Sequence, residues 1–137
     1  MNENIKKRLM EKVETAIERV EFIEAHLSGD ILRDRLLRKA IYKEFQEAVE
    51  AVSDVCAMVR RGLNSSAKDD YSNIDFLVDK GILEAEMGEK IREANGLRNR
   101  LIHEYDGIND KIACYAIREL IEDLREFSLG VLKWIRK

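Results

Sequence analysis

Apolar residues recur at steps of three and four along most of this chain. From Glu3 to Leu27 the stripe is Ile5, Leu9, Val13, Ile17, Val20, Ile23 and Leu27. Lys6, Lys7, Arg8, Glu11, Lys12, Glu14 and Glu18 fill the other face. That is the period of an amphipathic helix. Ser28-Gly29-Asp30 supplies its stop and a cap for the next element. The second stripe, Ile31 to Arg61, is the longest: Leu32, Leu36, Ile41, Phe45, Ala48, Val52, Val55, Cys56 and Val59 point inward. Gly62 ends it behind Arg60-Arg61, where cations suit a helix C-terminus. Asn64 to Asn73 is polar and reads as the one real loop and the most mobile part. Ile74 to Lys80 predicts a short helix, with Phe76, Leu77 and Val78 packing under the bundle and Gly81 closing it. A third long helix is predicted from about Leu83 to Ile102, then a turn over His103 to Asn109. The last helix runs from about Asp110 to Arg136, capped by Asn109 or Asp110. Its stripe is Ile112, Ala113, Ala116, Ile117, Leu120, Ile121, Leu124, Phe127, Val131, Leu132 and Ile135.

No strand-like alternation, internal repeat or low-complexity tract interrupts this pattern. The expected fold is all-α: one domain over residues 1–137, an up-and-down four-helix bundle with a short extra helix before the third long helix. The complete absence of proline fits long uninterrupted helices. The apolar arcs of the second and fourth long helices are wide, which suggests burial beyond the bundle core and hence a dimer. Three glutamates, Glu44, Glu47 and Glu50, crowd the middle of the second helix with no role legible in the sequence.

Charge narrows the partners. Lys+Arg 24 against Asp+Glu 27 gives a net charge of −3, so there is no global basic field for coating nucleic acid, though a local basic cleft is compatible with it. Cys56 and Cys114 each sit in an apolar helical pattern and read as buried free thiols rather than a disulfide. The N-terminus lacks the apolar core of a signal peptide, and no run approaches the ~18 apolar residues of a membrane span. A soluble, cytoplasmic protein is expected.

The chemistry concentrates in Leu97-Arg98-Asn99-Arg100-Leu101-Ile102-His103-Glu104-Tyr105-Asp106. On a helical wheel Arg98 falls at about 100° from Leu97, inside the apolar arc formed with Ala94, Ile91, Leu101 and Ile102. A guanidinium there is costly unless paired, so it is either buried with a partner or lining a cleft or interface. A structural ion pair to Glu47 or Glu50 is one reading. His103 could exchange protons near neutral pH or be an ordinary surface histidine. Five positions separate it from Arg98, so the two diverge by about 140° on a continuous helix. They converge only if the helix breaks near Ile102 or a second protomer brings its own copy. Asn99 and Arg100 add donors, and the Tyr105 hydroxyl could meet an anion or accept a modification. No metal-ligand spacing and no glycine-rich phosphate loop is present, and no cofactor is called for. Acid–base work on a phosphodiester needs neither when RNA supplies its own 2′-hydroxyl nucleophile.

The run Arg98-Asn99-Arg100-Leu101-Ile102-His103-Glu104-Tyr105 resembles the R-x-x-x-x-H-x-Y signature of HEPN-domain proteins of the HepT kind, and the order of helices resembles theirs across the whole chain. These are the toxin halves of toxin–antitoxin modules. The resemblance implies a homodimer with a composite cleft and a metal-independent endoribonuclease. It implies Arg98 and His103 as the catalytic pair, with Asn99 and Arg100 at the substrate. It also implies a minimal nucleotidyltransferase antitoxin that silences the toxin by transferring AMP to Tyr105. Added phosphate would put negative charge and bulk where the RNA backbone must sit. Two other readings compete. One is a non-catalytic, nucleotide-binding helical partner of a nucleotidyltransferase. The other is a purely structural bundle in which Arg98 is a buried ion pair.

Overall fold

The structure is a computed structural model that describes residues 1–28, 30–103 and 107–137. Among the described residues there are five helices: α1 (Glu3–His26), α2 (Arg35–Gly62), α3 (Asp70–Asp79), α4 (Ala85–His103) and α5 (Asp110–Arg136). Neighbouring contacts run α1 to α2, α2 to α4, α4 to α5 and α5 back to α1. That closes a four-helix ring. The short α3 lies outside it, touching α2 and α4. Leu9, Val13, Ala16, Val20 and Ile23 of α1 meet Phe45, Val49 and Val52 of α2, Ile91 and Ala94 of α4, and Ile117, Leu124 and Phe127 of α5 in one core. Cys56 and Cys114 are free and buried.

Asn2, Asp34, Asp69 and Asn109 cap α1, α2, α3 and α5, each side chain accepting from a backbone N–H three residues on. Two boundaries differ from the pattern reading. α2 starts at Arg35 rather than Ile31, because Asp34 caps it where Asp30 was expected to, and residues 30–33 form a turn instead. α3 starts at Asp70, four residues before Ile74, because Asp69 accepts from both the N–H and the hydroxyl of Ser72. Those bonds hold the Asp69 carboxyl below its usual range, the backbone donor contributing most. α3 closes as expected at Gly81, whose φ of 74° is the left-handed conformation of a helix stop. At the end of α2 the left-handed residue is Asn64 rather than Gly62.

The loop before α3 is closely bonded. Asn73, almost fully buried, accepts from the Lys68 N–H at 2.8 Å and donates to the Lys68 carbonyl at 2.9 Å. Arg60 donates to the Ser65 hydroxyl and the Ser72 carbonyl, and stacks over the Phe76 ring at 4.7 Å.

Three residues assigned to inner stripes face outward. Leu36 is 83% exposed, Ile112 is 67% exposed, and Leu32 is also exposed; Tyr115 on α5 is 64% exposed. Periodicity marks an apolar stripe but not what covers it. Glu44 and Glu47 pair with Arg19 of α1, at 3.4 and 3.1 Å, and so tie α1 to α2. Glu50 is exposed.

The start of α5 is tied to α2. The Tyr42 hydroxyl donates to Asp110 at 2.5 Å, and Arg38 Nε lies 3.5 Å from the same carboxylate oxygen. Burial, then the hydrogen bond to Asp110, pushes the Tyr42 phenol well above its ordinary value. The folded chain therefore keeps a proton that the unfolded chain loses above pH ~10. This contribution is complete below that pH and is lost as the pH rises beyond it. Tyr42→Phe should cost about 1 kcal/mol at pH 8. In urea unfolding, the gap between wild type and variant should close between pH 8 and pH 11, because one pH unit past the phenol's free value costs the wild type about 1.4 kcal/mol. A constant gap would mean that the phenol does not titrate differently in the two states.

Candidate functional site

α4 carries the polar decapeptide as far as His103. Leu97 and Leu101 are buried and anchor the segment, while Asn99, Arg100, Ile102 and His103 are exposed. Arg98 sits between these classes, its side chain 18% exposed. Its Nη2 donates to Asp70 Oδ2 and to Asn99 Oδ1, both at 3.4 Å. Its Nε is buried without a hydrogen-bond partner. The sequence reading that Arg98 must be paired or at a cleft edge holds, but the partner is Asp70. Glu47 is engaged by Arg19 and leaves that role to α3.

Two Arg–Asp pairs dock α3 antiparallel on α4. Arg98 meets Asp70 at the start of α3, and Arg92 meets Asp75 near its middle. Arg92 also lies over the Tyr71 ring, 5.3 Å from its centroid. Gly88 permits this closeness, because a Cβ there would stand 2.9 Å from Val78 Cγ2. Behind the pair, burial and then the Asp70 charge push the Cys56 thiol up to about 12, which leaves it a poor nucleophile. One turn before Arg98, buried Asn95 accepts from the Ser53 hydroxyl at 3.2 Å and donates to the Ile91 carbonyl, so its polar atoms belong to the interior.

His103 is the last residue of α4, and the helix is unbroken from Arg98 to it. Over five residues the two side chains diverge by about 140° and are about 7.5 Å apart along the axis. A helix break at Ile102 is therefore not what brings them together. Tyr105 lies outside the described residues.

Beside this segment, Arg100 lines a hollow of about 170 Å³ with Leu97, Ile108, Ile112 and Ala116. Ile112 also lines a larger hollow of about 450 Å³ with Leu32, Tyr115, Lys111 and Arg118. An apolar strip thus runs from the edge of the motif across α5, and the charged side chains lining it among the described residues, Arg100, Lys111 and Arg118, are cationic. Among the described residues, no three His, Cys, Asp or Glu side chains form a group that could hold a metal ion. Also among them, no helix is long and apolar enough to cross a membrane.

Residues 13–130 match the ribonuclease HepT-like family. The chain belongs to that family. A relative from Archaeoglobus fulgidus, named "Putative RNase", is 30% identical over 128 residues, 93% of each chain. The mRNA nuclease HepT of Shewanella oneidensis is 23% identical over 105 residues, 74% of this chain and 76% of that one. A solved structure of a tri-AMPylated Shewanella oneidensis HEPN toxin in complex with its MNT antitoxin superposes with a TM-score of 0.79 at 18% identity, over 97% of this chain and 99% of that one. The cytosolic protein YutE of Bacillus subtilis superposes with a TM-score of 0.75 at 16% identity, over 90% and 88%. At these identities the structural likeness is one of fold.

Within the HepT-like fold, helical periodicity found α4 and its polar segment. It missed Asp70, which the pattern reading left in a loop. The available signal was the capping pair Asp69 and Ser72, which starts a helix there and places Asp70 in its first turn.

Proposed function

We propose that this chain is a metal-independent endoribonuclease toxin of a toxin–antitoxin module. In this reading it works as a cytoplasmic homodimer with Arg98 and His103 acting on the RNA phosphodiester, and Asn99 and Arg100 hold the substrate. The observation that carries it is the unbroken α4. On one unbroken helix Arg98 and His103 point about 140° apart, whereas a two-fold axis beside the motif lets each segment face its twin. The exposed apolar strip of Leu32, Ile112 and Tyr115, next to Arg100, supplies a surface for that pairing.

The chemistry follows from the groups. The 2′-hydroxyl attacks the adjacent phosphorus while an imidazole takes its proton. The bond from phosphorus to the 5′-oxygen breaks, and an imidazolium returns a proton to that oxygen, leaving a 2′,3′-cyclic phosphate. The His103 imidazole that takes the proton becomes the imidazolium that can return it. The Arg98 guanidinium stabilises the charge on the phosphorane oxygens. Membership of the HepT-like family and the AMPylated relative support silencing by a minimal nucleotidyltransferase that transfers AMP to Tyr105.

The test joins both parts. Expression of the wild type alone should slow growth, and the purified protein should cleave RNA. After co-expression with a cognate minimal nucleotidyltransferase, mass spectrometry should find AMP on the Tyr105 peptide, and cleavage should stop. Unmodified protein that leaves RNA intact would instead favour a nucleotide-binding subunit without catalysis.

A further inference from the structure

We infer that Asp70 is a positioning residue for the Arg98 guanidinium, an inference that rests on Arg98 acting at the phosphodiester. Arg98 has five N–H donors, and its two hydrogen bonds to described residues both leave from Nη2: one to Asp70 at 3.4 Å, one to Asn99 at 3.4 Å. Nε faces the interior. Among the described residues a single edge of the fork is therefore tied to the protein, and Nη1 is left for an anion. The tie fixes where that donor stands before substrate arrives.

Asp70 is itself held from three sides. Asp69 caps α3 directly before it. Asn73 and Arg60 fasten the preceding loop through Lys68, Ser65 and Ser72. Arg92 and Asp75 pin the middle of α3 to α4, and Gly88 lets the two helices close beyond it. If its purpose were only to dock α3, the Arg92–Asp75 pair and the Phe76 and Leu77 contacts would serve without it. The Asp70 carboxylate is the one α3 group among these contacts that reaches the motif.

The experiment compares RNA cleavage by wild type, Arg98→Ala, Asp70→Ala, Asp70→Asn, Asp70→Glu and the Asp70→Ala/Arg98→Ala double variant, with thermal unfolding of each. Asp70→Ala should lower kcat about tenfold to a hundredfold with KM changed less than about threefold, as expected for a misplaced transition-state donor. Asp70→Glu should recover most of the loss. The double variant should be no slower than Arg98→Ala, because Asp70 acts through Arg98 alone. Asp70→Asn keeps the side-chain shape and should fall between wild type and Asp70→Ala, which covers the case in which Ala loosens α3. If Arg98→Ala is slow but Asp70→Ala and Asp70→Asn keep the wild-type kcat, or if the two losses multiply in the double variant, the positioning role is overturned and the role of Arg98 stands. If Arg98→Ala cleaves like wild type, the assignment of Arg98 fails first and takes this one with it.

Discussion

Mixing Arg98→Ala protein with His103→Ala protein is expected to restore RNA cleavage that neither shows alone. Each single variant should lose about a hundredfold to ten-thousandfold in rate, the range for removing a proton-transfer group or a charge-stabilising donor. Neither should lose its fold: His103 is exposed, and Arg98 lies at the rim of the core. In a mixed dimer one subunit keeps its arginine and the other keeps its histidine. Because α4 runs straight through the segment, a productive pair drawn from two subunits is the arrangement this helix geometry favours. About half of the dimers in an equilibrated equal mixture are mixed on statistical grounds if subunits exchange freely. Recovery to roughly a tenth of wild-type activity would support a shared cleft. Activity no higher than the two parents, with exchange shown by native mass spectrometry, would mean that each chain carries its own complete site or none.

The second large effect concerns the apolar strip. Ile112→Glu together with Tyr115→Glu should leave the proposed homodimer as a monomer in light scattering and abolish cleavage. Both side chains lie on the outside of α5, more than half exposed, so the monomer fold loses little. Across a two-fold axis each change appears twice, which sets four carboxylates into one apolar contact. Burying such charges costs several kcal/mol per group, more than a modest interface supplies. Glutamate is also a good helix former, so α5 itself is not weakened. A variant that stays dimeric, or a monomer that still cleaves RNA, would move the pairing surface elsewhere.

How much of this could be read from the sequence depended on the distance over which each feature is decided. The stripe of α1 could be placed nearly to the residue, because Leu9, Val13, Val20 and Ile23 all face one continuous core. The start of α2 could not. Ile31, Leu32 and Leu36 continue the apolar pattern, but a local competition between Asp30 and Asp34 for the cap decides the boundary. Ile112 and Leu36 failed for a related reason, since periodicity does not reveal that no helix lies against them. In the site, the exceptional position of Arg98 followed from its place on the wheel. Its partner did not, because Asp70 is 28 residues away and reaches it only through the docking of α3. The acidic residues of α2 were plausible partners until Arg19 of α1 took two of them.

The place of α3 outside the four-helix ring has a consequence for how such a protein can change. Lengthening or shortening the segment between α2 and α3 would shift a carboxylate against Arg98 while leaving the central scaffold and the residues of α4 as they are. Turnover could then be adjusted by peripheral edits that no comparison of the motif alone would register.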